Sequence, residues 1–113
     1  VFESRSLPVG DERFPGAPYL DDLIDGLVYG ETWNRNQLSA RDRSLATIAV
    51  TLAGYRSDQL RVHLQRGLDN GVTVQEISEL IAHVTLYSGF PTGVNASRMF
   101  ADILRERGIP LPD

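Results

Sequence analysis

The 113-residue sequence contains no cysteine and no lysine, and each absence excludes a class of chemistry. Without cysteine there are no disulfides, no thiolate nucleophiles and no zinc–thiolate centres. Without lysine there is no side-chain amine for a Schiff base and no P-loop lysine for binding phosphate. All 11 basic side chains are arginines, and with two histidines they are the cationic groups available to a functional site.

Positive charge and long apolar runs are also scarce. The 15 acidic residues outnumber the basic ones and give a net charge of −4, without the basic stripe that nucleic acid binding needs. No apolar run approaches the roughly 20 residues of a membrane span. We therefore expect neither nucleic acid nor membrane as a partner, and a cytoplasmic location, which the lack of cysteine fits.

Nucleotide, serine-hydrolase and metal motifs are missing as well. There is no G-x-G-x-x-G, no G-x-x-x-x-G-K-[ST] and no G-x-S-x-G. The two histidines lie 20 residues apart and match none of the common metal-ligand spacings. We expect no metal and no cofactor.

Apolar residues recur at three- and four-residue spacing from Tyr19 onward, which predicts helices. The proline- and glycine-rich residues 1–18 are predicted to form an extended arm, and residues 19–113 a single helical domain. The first helix should run to about Tyr29. No alternating apolar and polar segment predicts a strand, so the predicted fold class is all-α, with about five helices in antiparallel hairpins.

Start and stop signals divide the rest of the chain into four further helices. Ser39 and Ser57 precede apolar stripes as candidate caps, and Thr73 with Glu76 forms a T-x-x-E capping box. Gly54, Asn70-Gly71 and Gly89-Phe90-Pro91 end or separate helices. The predicted inward-facing residues of these four helices include Leu45, Ile48, Leu52, Leu60, Leu64, Leu68, Val74, Ile77, Leu80, Ile81, Val84, Val94, Met99, Phe100, Ile103 and Leu104.

Two histidines are candidates for proton transfer. His63 lies between Leu60 and Leu64 in or beside the core, where Gly67 one turn later would leave space; it is either a core histidine or a neutral imidazole lining a cavity. His83 shares one helical strip with a carboxylate and a phenol, Glu79 and Tyr87, each four residues away. This strip is predicted either to do acid–base chemistry or to be a flank at a subunit interface or in solvent, with an ordinary Glu–His contact.

A loop and a helix start supply the other candidates. Glu31 next to Trp33 is either a partly desolvated acid or a plain loop acid beside an aromatic anchor, with Arg35 close by. Arg41 lies on the apolar stripe of the second helix, where it either binds an anion (a side-chain carboxylate or a substrate) or extends outward to solvent. Arg43 points to the far side.

Taken together, five segments of the sequence resemble the carboxymuconolactone decarboxylase family. The resemblance extends from Tyr19 to Leu104, and the segments keep the order and spacing of that family. They are G-E-T-W-N-R at 30–35, L-S-A-R-D-R-S-L at 38–45, Q-L-R-V-H at 59–63, N-G-V-T-x-x-E-I-x-E at 70–79 and H-x-x-x-Y-S-G-F-P at 83–91.

The resemblance implies an AhpD-like helical fold, a homo-oligomer (trimer or hexamer) and a reaction without metal or organic cofactor. A related peroxidase branch carries C-x-x-C-x-x-x-H. Aligned on His63, its two cysteine positions hold Arg56 and Gln59 here. Peroxide reduction by thiols is therefore excluded, because no thiolate is present.

The implied activity is decarboxylation of a small carboxylated lactone similar to 4-carboxymuconolactone, with arginine binding the carboxylate and His/Glu acid–base catalysis. Two alternatives remain: isomerisation, dehydration or ring opening of another small acidic or lactone metabolite, or a non-catalytic helical assembly protein. The expected catalytic residues are His63, Glu31, His83 and Tyr87, and the expected substrate-binding residues are Arg41, Arg43, Trp33 and Arg35.

Overall fold

Helices account for most of residues 13–113, the part of the chain that the computed structural model describes, and no strand occurs among these residues. The all-α prediction is confirmed. Most of the predicted arm, residues 1–12, lies outside the described residues. The chain divides into two compact units, one ending at Ala40 and the other beginning at Arg41, and each is described by itself.

In the first unit, α1 (Pro18–Leu23) continues into a π-helical turn at Ile24–Tyr29, and a short 3₁₀ turn follows at Thr32–Asn34. The helix ends where the sequence predicts, but its last turns are wider than an α-helix. Gly30 follows the π turn directly. Only glycine fits at this position, because a Cβ there would lie 2.6 Å from two carbonyl oxygens of the turn. Asn34 Nδ2 donates to two of the carbonyls that this end leaves open, at 3.1 Å each.

The second unit contains four helices joined by short turns. They are α2 (Ala40–Ala53, whose first residue ends the preceding unit), α3 (Ser57–Asp69), α4 (Val74–Ser88) and α5 (Phe90–Arg107). Their buried faces form one apolar core, made of Ile48, Leu52, Leu60, Leu64, Val72, Ile77, Ile81, Val84, Ala96, Phe100, Ile103 and Leu104. None of the helices within residues 13–113 is long and apolar enough to cross a membrane.

The helix starts agree with the sequence in one case and differ in another. Thr73 Oγ1 accepts from Glu76 N at 3.0 Å, and Glu76 Oε1 accepts from Thr73 N at 2.9 Å, which confirms the capping box of α4. Ser57 is not a cap: it is the first residue of α3, and Arg56 in the cap position makes no side-chain capping bond. The start of α3 therefore has no side-chain cap, and Asp58 places a negative charge in its first turn.

Helices α4 and α5 come into close contact at a glycine. A Cβ on Gly93 would lie 2.9 Å from Thr85 Cβ, so only glycine allows this crossing. The contact centres the buried face of α5 on Gly93, Ala96 and Phe100. Val94, predicted to face inward, is instead 45% exposed, because it lies a quarter turn away from that face.

Candidate active site

His63 on α3 is one of the few polar residues inside the second unit. The residue is 7% exposed and its Nδ1 is buried. Burial lowers the pKa of the imidazole, and the positive charge of Arg66, one turn later, lowers that pKa further. His63 is therefore a neutral imidazole at neutral pH, with one nitrogen able to donate a proton and the other able to accept one.

Gly67 does not open a cavity beside His63, contrary to the sequence interpretation. A Cβ on Gly67 would lie 2.8 Å from Ile48 Cδ1 and 3.8 Å from side-chain atoms of Val72 and Ile77. The absent side chain lets α3 pack closely against its neighbours, and the space is filled by the core.

An open groove lies beside α4 in the second unit. It has a volume of about 290 Å³ and is lined by Leu45 on α2 and by Glu76, Glu79, Leu80 and His83 on α4. Two residues of the predicted strip of α4, Glu79 and His83, thus line a cavity, and Tyr87 does not. His83 is exposed, and its ring lies 5.2 Å from the Tyr87 ring at an interplanar angle of 47°.

Arg41 finds its anion within the protein. Its Nη2 donates to Glu76 Oε2 and its Nη1 donates to Asp42 Oδ1 at 2.9 Å. The backbone hydrogen bond from Thr73 and the ion pair with Arg41 hold the pKa of Glu76 below its usual range. The same pairing raises the pKa of Arg41. Of the two possible partners the sequence left open, the carboxylate of a side chain is present, and it links the start of α2 to the first turn of α4.

Arg43 follows two residues later on α2 and is half-buried. Its carbonyl oxygen accepts from Thr47 Oγ1 at 2.7 Å, as part of the regular helix.

Three candidates belong to the first unit. Glu31 and Arg35 flank the 3₁₀ turn, and both are exposed. Trp33 is half-buried, with its ring centroid 5.5 Å from that of Tyr29. The indole therefore packs on the end of the π turn, as an anchor for this loop.

The tertiary structure groups the candidates of the second unit in two places. Arg41 and His83 lie at one surface, connected by Glu76 and Glu79 along the groove. His63 lies in the interior of α3 and does not line that groove. The sequence pattern indicated Glu76 only as a capping residue and did not predict its ion pair. The capping box uses one carboxylate oxygen of Glu76, and the second oxygen was the signal that another partner could bind. Among residues 13–113, no group of three or more histidine or acidic side chains is arranged to hold a metal ion.

Comparison with known proteins identifies the family. The sequence profile of the Carboxymuconolactone decarboxylase family matches residues 18–102. The chain belongs to this family. The match includes both histidines, the loop of the first unit and the groove of the second.

Two curated relatives of this chain are named decarboxylases. Over 88 residues (78% of this chain), the sequence is 43% identical to a 4-carboxymuconolactone decarboxylase of Acinetobacter baylyi. Over 75 residues (66% of this chain), it is 32% identical to a nitrosuccinic acid decarboxylase of Metarhizium robertsii. The chain spans 66% of the length of the first relative and 52% of the second, which is less than two thirds of each.

Proposed function

We propose that this member of the family is a carboxy-lyase that releases CO₂ from a small carboxylated lactone similar to 4-carboxymuconolactone, without a cofactor. The observation that carries the proposal is the similarity to two relatives that are named decarboxylases. In a chain without cysteine or lysine, the neutral imidazole of His63 is the proposed proton donor, and substrate binding must open a path to it. A neutral imidazole in a dry interior can donate a hydrogen bond to an oxygen that becomes negative and can then pass on a proton.

The two named relatives support a decarboxylation of this electronic type. In a γ-carboxylated butenolide, the C–CO₂ bond breaks and its electron pair moves through the ring double bond to the lactone carbonyl oxygen. Protonation of a ring carbon then restores the carbonyl. A carboxylate next to a nitro group leaves in the same way, with the electron pair on the nitro oxygens. Both reactions need a donor at the oxygen that gains charge and an acid that protonates carbon.

The remaining candidates are proposed to bind and to assist. An arginine fork matches a carboxylate, so Arg41, Arg43 and Arg35 are the proposed carboxylate-binding groups. Because Glu76 already pairs with Arg41, a substrate carboxylate must share or displace that partner. Glu31, His83 and Tyr87 are proposed as acid–base partners, and Trp33 as an apolar wall.

The test is a CO₂-release assay on 4-carboxymuconolactone with the wild type and two matched variants, His63→Gln and His83→Gln. Loss of the proton donor should reduce kcat by about 10²–10⁴ in His63→Gln. A smaller effect is expected in His83→Gln, whose imidazole is exposed. Circular dichroism and thermal melting establish that both variants are folded.

Two results would contradict the proposal. Undiminished CO₂ release by a folded His63→Gln variant would remove His63 from the reaction. Consumption of the lactone without CO₂ would instead indicate isomerisation, dehydration or ring opening, and no turnover of any acid or lactone in a substrate panel would favour a non-catalytic assembly protein.

A further inference from the structure

The ion pair between Arg41 and Glu76 lies at one end of the groove beside α4. Glu76 lines this groove, and Leu45, which also lines it, follows Arg41 by one turn of α2. The guanidinium of Arg41 is therefore separated from the groove only by its contact with Glu76. The side chains of Arg41 and Glu76 are 36% and 42% exposed, so a ligand in the groove can reach the pair.

The two carboxylate oxygens of Glu76 have different partners. Oε1 accepts from the backbone N–H of Thr73 at 2.9 Å, as part of the capping box. Oε2 accepts from Nη2 of Arg41. The oxygen that binds Arg41 can therefore lose this partner while the other oxygen keeps the start of α4 capped.

The charges around Arg41 favour replacement of a partner over the addition of another one. The guanidinium already binds two carboxylates, because its Nη1 donates to Asp42 Oδ1 at 2.9 Å and its Nη2 donates to Glu76. A third carboxylate would add to an existing excess of negative charge. A ligand carboxylate that takes the place of Glu76 Oε2 keeps the number of carboxylates on Arg41 at two and leaves the displaced oxygen to water.

The groove gives a ring-bearing acid an advantage over Glu76. An ion pair that is this exposed contributes little stability, because water and salt screen it. Leu45 and Leu80 form the apolar part of the groove, where the ring of a carboxylated lactone would bury apolar surface. A carboxylate without an apolar part would only exchange one anion for another.

We propose that Glu76 is an internal competitor of the substrate. It occupies Arg41 until a ring fills the groove, and the ligand carboxylate then replaces its Oε2. This inference rests on the proposed function in one respect, that Arg41 binds the substrate carboxylate. A competing ion pair and a purely structural one differ in the sign of one effect. Neutralising Glu76 improves binding if Glu76 competes, and cannot improve it if Glu76 only joins α2 to α4.

The probe is γ-carboxy-γ-butyrolactone, the saturated form of a γ-carboxylated butenolide. It lacks the ring double bond through which the electron pair of the C–CO₂ bond would move, so it binds without reacting. Binding is followed by NMR of the imidazole C–H signals of His83, which lines the groove. These signals are assigned by their loss in His83→Gln. At about pH 7.5, where the probe is ionised, we expect a saturable shift in the wild type.

Two variants test the competition. Glu76→Gln removes the charge and keeps the cap, because the amide oxygen can accept from Thr73 N while the amide N–H₂ group faces Arg41. It should bind the probe about two- to fivefold more tightly than the wild type. Arg41→Gln should bind the probe at least about fivefold more weakly, because the guanidinium is lost.

Three controls separate competition for Arg41 from general charge repulsion. Glu79 is exposed in the same groove, and Glu79→Gln should strengthen binding less than Glu76→Gln does. In an Arg41→Gln background, the gain from Glu76→Gln should fall to the level of this control. The uncharged methyl ester of the probe should bind the wild type and Glu76→Gln equally. Circular dichroism establishes that the variants are folded.

Four results would each overturn the proposal. They are no saturable shift in either the wild type or Glu76→Gln, unchanged or weaker binding in Glu76→Gln, an equal gain in Glu79→Gln, and wild-type affinity in Arg41→Gln. The CO₂-release assay distinguishes this failure from that of the proposed function. Probe binding as expected without CO₂ release would contradict decarboxylation alone, and CO₂ release with probe binding that does not respond to Glu76→Gln would contradict the competition alone.

Discussion

The two histidines of the chain have opposite surroundings, and the lowered pKa of His63 is the clearest residue-scale consequence of the fold. His63 is buried and its pKa is lowered, whereas His83 is exposed beside Tyr87. The unfolded chain binds a proton on His63 near the usual pKa of about 6.5, and the folded protein binds it only at lower pH. Protonation therefore favours the unfolded state.

We predict that the free energy of unfolding falls as the pH decreases below about 6.5, and that this slope is reduced in His63→Gln. One proton contributes at most about 1.4 kcal/mol per pH unit. Denaturant titrations between pH 7.5 and roughly pH 5, with His83→Gln as the matched control, measure the effect. Glu76 does not contribute to the slope in this pH range. Because its pKa is lowered in the folded protein, its protonation reduces the free energy of unfolding only at pH values below the usual glutamate range. Equal slopes in wild type and His63→Gln would contradict the assignment.

At the scale of the element, α4 begins with the best-defined local structure of the second unit. The hydroxyl of Thr73 and the carboxylate of Glu76 satisfy each other's backbone N–H groups, and Glu76 also holds Arg41 of α2. We predict that Thr73→Ala lowers the free energy of unfolding by about 1 kcal/mol, because the N-terminal amides of α4 lose their acceptor. Thr73→Ser keeps the hydroxyl and should remain within a few tenths of the wild type. Urea denaturation of the three proteins makes the comparison, and equal stability of the alanine and serine variants would contradict it.

The crossing of α4 and α5 provides a second prediction at this scale. Gly93→Ala places a methyl group against the stiff, β-branched side chain of Thr85, so overpacking of about 1–3 kcal/mol should exceed the helix-propensity gain of at most about 1 kcal/mol. Gly67→Ala meets the flexible end of Ile48 and should cost less. Thermal melting of the two variants measures which is less stable. The double variant Thr85→Ala/Gly93→Ala should recover part of the stability that Gly93→Ala loses. If Gly93→Ala were no less stable than Gly67→Ala, the close crossing would be disproved.

At the scale of the whole molecule, the turn between α4 and α5 carries large exposed apolar side chains. Leu86 is 71% exposed, Tyr87 80% and Phe90 66%. Large apolar side chains that are exposed and close together along the chain are typical of an interaction site. We propose that a second copy of the chain covers this surface in a homo-oligomer.

The prediction is that Leu86→Gln/Phe90→Gln shifts the protein toward the monomer, by loss of apolar contact between copies. Light scattering coupled to size-exclusion chromatography measures the molar mass at several protein concentrations. The control Val50→Gln changes an exposed apolar residue on α2, outside this surface, and should leave the mass unchanged. A wild type that is monomeric at every concentration, or a double variant that stays assembled, would rule this interface out.

The sequence by itself determined the local structure and the family. The spacing of apolar residues predicted the helices, and the capping box of Thr73 and Glu76 fixed the start of α4, because these signals act within one or two turns. The missing cysteines and lysines excluded thiol and amine chemistry without any structure. The predictions for Ser57 and Val94 were each wrong by about one position. Ser57 is the first residue of its helix rather than the cap, and Val94 lies beside the buried face rather than on it. Neighbouring positions on a helix differ in direction by about a quarter turn, so a small error in the helix start or in the buried face produces such mistakes.

Only the tertiary structure decided the surroundings of the site residues. It buried His63 and exposed His83, although both lie beside apolar residues in sequence. It paired Arg41 with a carboxylate 35 residues away, and it brought the start of α3 and the first turn of α5 to the same cavity. These arrangements depend on contacts between helices that are distant along the chain. Helical periodicity specifies which face of a helix is apolar. Packing between helices decides which group lies opposite each side chain, and that neighbour determines the burial, the protonation state and the pKa of the side chain.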